Sequence, residues 1–133
     1  MVAFVVDNSV AIAWAYPKQA TEYTERLLDI GSHGLLHTAF IWPAEFANAT
    51  FTLVNRGLLG VDTAPEVLAM ANDFGLIVDK PQSPESLYSV AREFGLSAYD
   101  AAYLELAIRL NMPLATRDKD LKLAAEKLNL YFA

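Results

Sequence analysis

Apolar positions along this chain fall into two patterns. Val2-Ala3-Phe4-Val5-Val6 is an unbroken apolar run, rich in β-branched residues, that stops at Asp7. It predicts a strand covered on both faces, because a half-exposed strand alternates apolar with polar positions. Residues 34–38, 76–78 and 112–115 read the same way, and 130–132 suggest a last edge strand. Between these runs the apolar positions recur at helical spacing behind helix start signals, over 21–30, 43–55, 63–73, 84–94, 98–111 and 117–128.

Strands alternating with helices imply βαβ units and a mainly parallel sheet with helices on both faces, an α/β fold of the three-layer α/β/α sandwich type. A length of 133 residues suits one domain spanning residues 1–133. Neither a repeat nor a linker-like stretch interrupts it, and residues 79–86, with Pro81 and Pro84, are expected to form an exposed loop.

Composition narrows the chemistry. Apolar residues make up 54% and charged ones 20%, enough core material for independent folding. The absence of cysteine removes disulfides, thiolate nucleophiles and thiolate zinc sites, and is compatible with a reducing cytoplasm. His33 and His37 alone are a poor basis for a histidine-built metal site. The apolar start has no basic flank, and no apolar run approaches the roughly 20 residues of a membrane helix. A soluble cytoplasmic protein is expected. A net charge of -6 argues against a basic phosphate-binding footprint. If nucleic acid is the substrate, a bound divalent cation is the obvious attractor. The scattered glycines form neither the dinucleotide-binding nor the P-loop fingerprint.

In parallel sheets ligands bind beyond the carboxyl ends of the strands. Asp7 follows the first strand, Glu45 opens the helix after the second, and Thr116-Arg117-Asp118-Lys119-Asp120 follows the run at 112–115. Asp100 starts a helix that leads into that last strand, so it belongs to the same rim. Each acid also suits a helix first turn, and Ser97 with Asp100 has capping-box spacing. Their surroundings are unusual, however. Asp7 is the only charged residue in 2–17, Glu45 the only one in 39–55 and Asp100 the only one in 95–104. A carboxylate in an apolar segment is costly to desolvate unless something compensates it. Asp100 also heads the stripe Asp100, Tyr103, Leu104, Ala107, Ile108, which turns it toward the core.

Converging carboxylates repel unless a dication binds among them, and oxygen donors without His or Cys select magnesium or manganese. Such a cluster suits phosphoryl transfer, with a phosphodiester as substrate. Asp118 sits among other charges, so Asp120 is an alternative fourth member or a helper. Ser9 and Thr116 carry hydroxyls able to hold a metal-bound water or to begin helices. Asn48, one turn after Glu45, could bind a carboxylate or phosphate or face solvent. Arg117 could steady a substrate phosphate or form a surface ion pair.

Four pieces, in this order, resemble the PIN-domain ribonucleases and, within them, the VapC-type toxins of toxin-antitoxin pairs. They are Val5-Val6-Asp7-Asn8-Ser9-Val10, Pro43-Ala44-Glu45-Phe46-Ala47-Asn48, Leu96-Ser97-Ala98-Tyr99-Asp100-Ala101-Ala102-Tyr103-Leu104-Glu105-Leu106-Ala107 and Pro113-Leu114-Ala115-Thr116-Arg117-Asp118-Lys119-Asp120-Leu121. The resemblance implies an acidic pocket of Asp7, Glu45, Asp100 and Asp118, with Asp7 and Asp100 as direct ligands of the main magnesium (or manganese) and Thr116 as the hydroxyl beside the last acid. It also implies endonucleolytic cleavage of RNA, a homodimer, and inhibition by a cognate antitoxin that covers the site. Asn8 departs from the small or hydroxylated residue usual after the first acid.

The apolar stretches 11–16 and 51–59 are candidate dimer or antitoxin surfaces, with burial in the core the favoured reading for most of their residues. Two other functions fit the fold class. A magnesium-binding signalling receiver would need paired acids after the first strand, where Asn8 follows Asp7, and Asp79 as phosphoacceptor. A catalytically silent binding module would use the same fold as an interaction surface.

Overall fold

A computed structural model describes residues 1–133. Four parallel strands, β1 (Ala3–Val6), β2 (Leu35–Thr38), β3 (Leu76–Val78) and β4 (Leu114–Ala115), form one sheet in the order β3-β2-β1-β4. Seven helices accompany them: α1 (Asn8–Ala15), α2 (Glu22–Gly31), α3 (Trp42–Asn55), α4 (Ala64–Met70), α5 (Pro84–Phe94), α6 (Ala98–Leu110) and α7 (Lys119–Lys127). The expected α/β sandwich with a parallel sheet is what the chain forms.

The chain moves from β1 to β2 to β3 in one direction, then returns past them to place β4 on the other side of β1. Right-handed crossovers therefore put the helices of the two directions on opposite faces. Helix α1 packs on α2 and α3, and α3 on α4, while α5 and α7 pack on α6, which lies against β1 and β4. The reversal between β1 and β4 is a topological switch point, where a crevice opens beyond the strand ends. Asp7 and Thr116 are the residues that leave β1 and β4 at that crevice.

The central strand is buried as its composition requires, with Phe4, Val5 and Val6 fully inaccessible. The spacing reading misses one element, α1. Its residues from Val10 to Ala15 are all buried, so no polar face marks a helical period. The stretch 11–16 is therefore core and unavailable as a partner surface. Residues 51–59 divide, with Leu53 buried and Phe51 and Leu58 exposed. The expected edge strand at 130–132 is reduced to a single parallel bridge between Leu114 and Tyr131, because β4 is only two residues long. The helix expected over 63–73 changes to 3-10 geometry after Met70. Helix α5 ends at Gly95 in the left-handed region (φ 66°), which costs glycine nothing.

Candidate active site

Asp7 begins where β1 runs out of pairing. Its side chain caps α1 by accepting from the Val10 N–H at 3.3 Å, as a helix-start aspartate should. Capping is only part of its environment. The Ser9 hydroxyl donates to Oδ1 at 2.6 Å and the Thr116 hydroxyl to Oδ2 at 2.5 Å. Each hydroxyl also accepts a backbone N–H from the turn after β4: Arg117 N–H reaches Ser9 Oγ at 2.8 Å, and Asp118 N–H reaches Thr116 Oγ1 at 2.9 Å. Because both oxygens accept from the backbone, their own protons are directed at the carboxylate. The chain thus aims two O–H donors at a residue only 4% exposed. Burial nevertheless outweighs them and pushes the Asp7 carboxyl up to about 6, with the charge of Asp100 adding to the rise.

Glu45 lies in the first turn of α3, half-buried, and accepts the hydroxyl of Tyr103 on α6 at 2.5 Å. Burial raises its pKa, and the Tyr103 bond opposes the rise. Asp100 lies in the first turn of α6, behind the Ser97 cap. Its pKa is pushed up to about 6, first by burial and then by the charges of Asp118, Glu45 and Asp120, in that order, with Ser97 partly offsetting them. Asp118 caps α7 through Oδ2 and the Leu121 N–H at 2.8 Å, and Asp120 is exposed one turn position on. Thr38 braces the same rim by donating to the Val6 carbonyl at 2.7 Å.

Asp100 is therefore close enough to feel the charges of Glu45, Asp118 and Asp120, and Asp7 to feel that of Asp100. No three acidic or histidine side chains, however, stand close enough together to hold a metal ion. The residue types do fit a hard dication. The donors are all oxygens, and the molecule's ion pairs gather elsewhere, on Arg109 with Asp79 and Glu105. No cation of the chain forms an ion pair with the carboxylates of the rim.

Other named residues separate by their contacts. Arg117 directs its guanidinium at the Ser9 carbonyl (2.6 and 2.9 Å), the Gln19 carbonyl (3.1 Å) and Gln19 Oε1 (3.3 Å), bracing the turn after β4 against α1. Asn48 is exposed and shares with Glu45, Ile41, Ala44 and Tyr99 a recess of about 320 Å³. Asn8 points its amide to the Glu45 carbonyl at 3.4 Å, leaving Oδ1 buried without a partner. Asp79, the phosphoacceptor of the receiver reading, ends the edge strand β3 and is held by Arg109 at 2.5 Å. The spacing argument gave Tyr103 to the core; its hydroxyl is the one polar group that joins α6 to α3 at this rim.

Known proteins can be set beside this geometry. The PIN domain family model matches residues 4–127. The chain is 32% identical over 120 residues to ribonuclease VapC3 of Pyrobaculum aerophilum, a match that covers 88% of this chain and 90% of that protein. The crystal structure of PAE2754 from Pyrobaculum aerophilum has the same fold, with a TM-score of 0.73 at 23% identity over 92% of this chain and 84% of that one. A family match over nearly the whole chain, together with a relative matched over most of both lengths, settles the family: the protein belongs to the PIN domain family.

Proposed function

We propose that this chain is a metal-dependent endoribonuclease that hydrolyses RNA phosphodiester bonds and acts in the cytoplasm as the toxin of a type II toxin-antitoxin module. The observation that carries the proposal is the buried Asp7 carboxylate, held by two directed hydroxyls within reach of the Asp100 charge and in no ion pair with a cation of the chain. Asp7 and Asp100 would hold magnesium or manganese, with Glu45 and Asp118 completing the pocket. When bound, such an ion lowers the pKa of water, polarises the phosphate and neutralises charge on the leaving oxygen.

The chain's own groups have distinct tasks. Ser9 and Thr116 hold Asp7 in one rotamer; Oδ1 also accepts from the Val10 N–H, so the second lone pair of Oδ2 is the one left for a ligand. Capping by Asp118 fixes the start of α7 against the site. Asp120 and Asn48, at the exposed margin, are available to substrate or solvent. Arg117 supports the site from behind, through Ser9 and Gln19.

Similarity to ribonuclease VapC3 supports RNA as substrate and an antitoxin as partner. A partner segment entering this pocket would be basic, given the acids that line it. Exposed Phe51, Leu58, Leu68, Met70, Ile77 and Val78 supply apolar surface for that partner or for a second copy in a homodimer. No helix is long and apolar enough to cross a membrane.

The test is cleavage of end-labelled RNA by the purified chain with magnesium or manganese. Internal cuts that vanish on chelation and in Asp100→Asn, with the fold retained by circular dichroism, are the expected result. Cutting that survives both treatments would remove the mechanism.

A further inference from the structure

The buried face of α6 carries one polar group. Tyr103 is 1% exposed and lies among Ala102, Leu104, Leu106 and Ala107, all core residues. A buried phenol needs a hydrogen-bond partner. Its partner is the Glu45 carboxylate, 58 positions away on α3, at 2.5 Å. This is the only hydrogen bond that carboxylate receives. From the other side Asn8 holds the same residue by its backbone carbonyl. Glu45 is thus tied through its main chain to the helix that Asp7 caps. Its side chain is tied to the helix whose first turn holds Asp100, three positions before Tyr103.

A glutamate has three side-chain torsions, and half-buried beside other acids it would swing away from their charge. One short hydrogen bond to a charged oxygen opposes that. We infer that Tyr103 is a positioning residue of the proposed nuclease site: its hydroxyl pins the Glu45 rotamer and occupies Oε1, which leaves Oε2 without a protein donor. The inference rests on the reading of Glu45 as part of that site. The ring of Tyr103 belongs to the core, and the hydroxyl alone acts on the site.

Tyr103→Phe removes the hydroxyl and keeps the ring. The experiment compares wild type, Tyr103→Phe, Glu45→Gln and the double variant. It measures steady-state RNA cleavage, the unfolding midpoint, and calorimetric binding of manganese to the metal-free protein. The expected result for Tyr103→Phe is a fall of about tenfold in kcat, the rate equivalent of one hydrogen bond to a charged group, with KM for RNA unchanged. Manganese affinity should fall with it. In the Glu45→Gln background the second substitution should change neither quantity, because a residue that acts through Glu45 has nothing left to act on. Wild-type behaviour of Tyr103→Phe beside an impaired Glu45→Gln would overturn the inference and leave the nuclease reading standing. So would a further loss in the double variant, or collapse of the Tyr103→Phe fold, since either assigns the hydroxyl to the core. A Glu45→Gln variant that cleaves RNA and binds manganese like wild type would remove Glu45 from the site, and the inference with it.

Discussion

Replacing Asp7 by asparagine should stabilise the metal-free protein at neutral pH. The folded state raises the Asp7 carboxyl from 3.8 to about 6, mainly by burial. A group with a raised folded pKa binds its proton more tightly when folded. Its stabilising contribution is therefore fully present below pH 3.8 and is lost as the pH rises through 6. The shift of about two units corresponds to about 3 kcal/mol forfeited at pH 7.5. An amide has no charge to desolvate but makes weaker bonds with Ser9 and Thr116, so about 2 kcal/mol of this should be recovered. For a chain of 133 residues that is a rise of about 7 °C in the unfolding midpoint. The assay is thermal denaturation in chelator at two pH values. At pH 4.5 the wild-type carboxyl is largely protonated in the folded state, and the advantage should shrink by about 2 kcal/mol, to nearly nothing. A variant no more stable than wild type at pH 7.5, with a gap that does not change between the two pH values, would refute the assignment of a desolvated carboxylate at this position.

Four further outcomes follow from the same contacts. Millimolar magnesium or manganese should raise the wild-type midpoint at pH 7.5, by about 2.7 kcal/mol at a hundredfold excess over Kd, and leave Asp7→Asn unmoved in the same melting assay. Thr116→Val keeps the shape and removes the hydroxyl that joins Asp7 to the Asp118 N–H; it should lower stability by about 1–3 kcal/mol in urea titration and reduce cleavage in parallel. Arg117→Ala should appear as lost stability, about 1–3 kcal/mol by denaturant midpoint, rather than as a raised KM for RNA, because its donors are occupied by Ser9 and Gln19. Ala11→Leu forces volume into a fully buried position of α1 and should cost about 1–3 kcal/mol by thermal melting.

The parallel sheet and its layers were legible because a strand buried on both faces reads as a continuous apolar run, as Phe4-Val5-Val6 does, whereas the run at 76–78 reads the same way and forms the edge strand β3 with Ile77 and Val78 exposed. The same complete burial hid α1: when every side of a helix is covered, the period of 3.6 has no polar positions to display it. The stripe through Asp100, Tyr103, Leu104 and Ala107 correctly set the inner face of α6, although Ile108 at its end is exposed. Spacing could not show that the Tyr103 hydroxyl meets Glu45, since that contact depends on how α3 and α6 approach across the rim. Nor could it show where Arg117 points. A charged residue between Thr116 and Asp118 is surface by every local signal, and only the return of the chain past Ser9 and Gln19 gives it half-buried backbone acceptors. A signal for Tyr103 did exist in the sequence: a tyrosine among alanines and leucines on a buried face must find a hydrogen-bond partner somewhere.

The isolation of the acids is what links folding to chemistry in this molecule. Asp7, Glu45 and Asp100 are each the lone charge of an apolar segment, and packing those segments draws the three toward one rim with no lysine or arginine in an ion pair with them. Neutralising them with basic side chains would have been straightforward, and elsewhere the chain does this, at Arg109 between Asp79 and Glu105. Instead the hydrogen bonds from Ser9 and Thr116 favour ionised Asp7 while burial disfavours it, so folding holds the carboxylate against an opposing force. Such a balance is a liability for a purely structural aspartate, since an asparagine could make most of the same bonds without the charge. Under the proposed nuclease reading a positive ligand would relieve that opposition, and its binding energy would stabilise the fold and poise the site in one step.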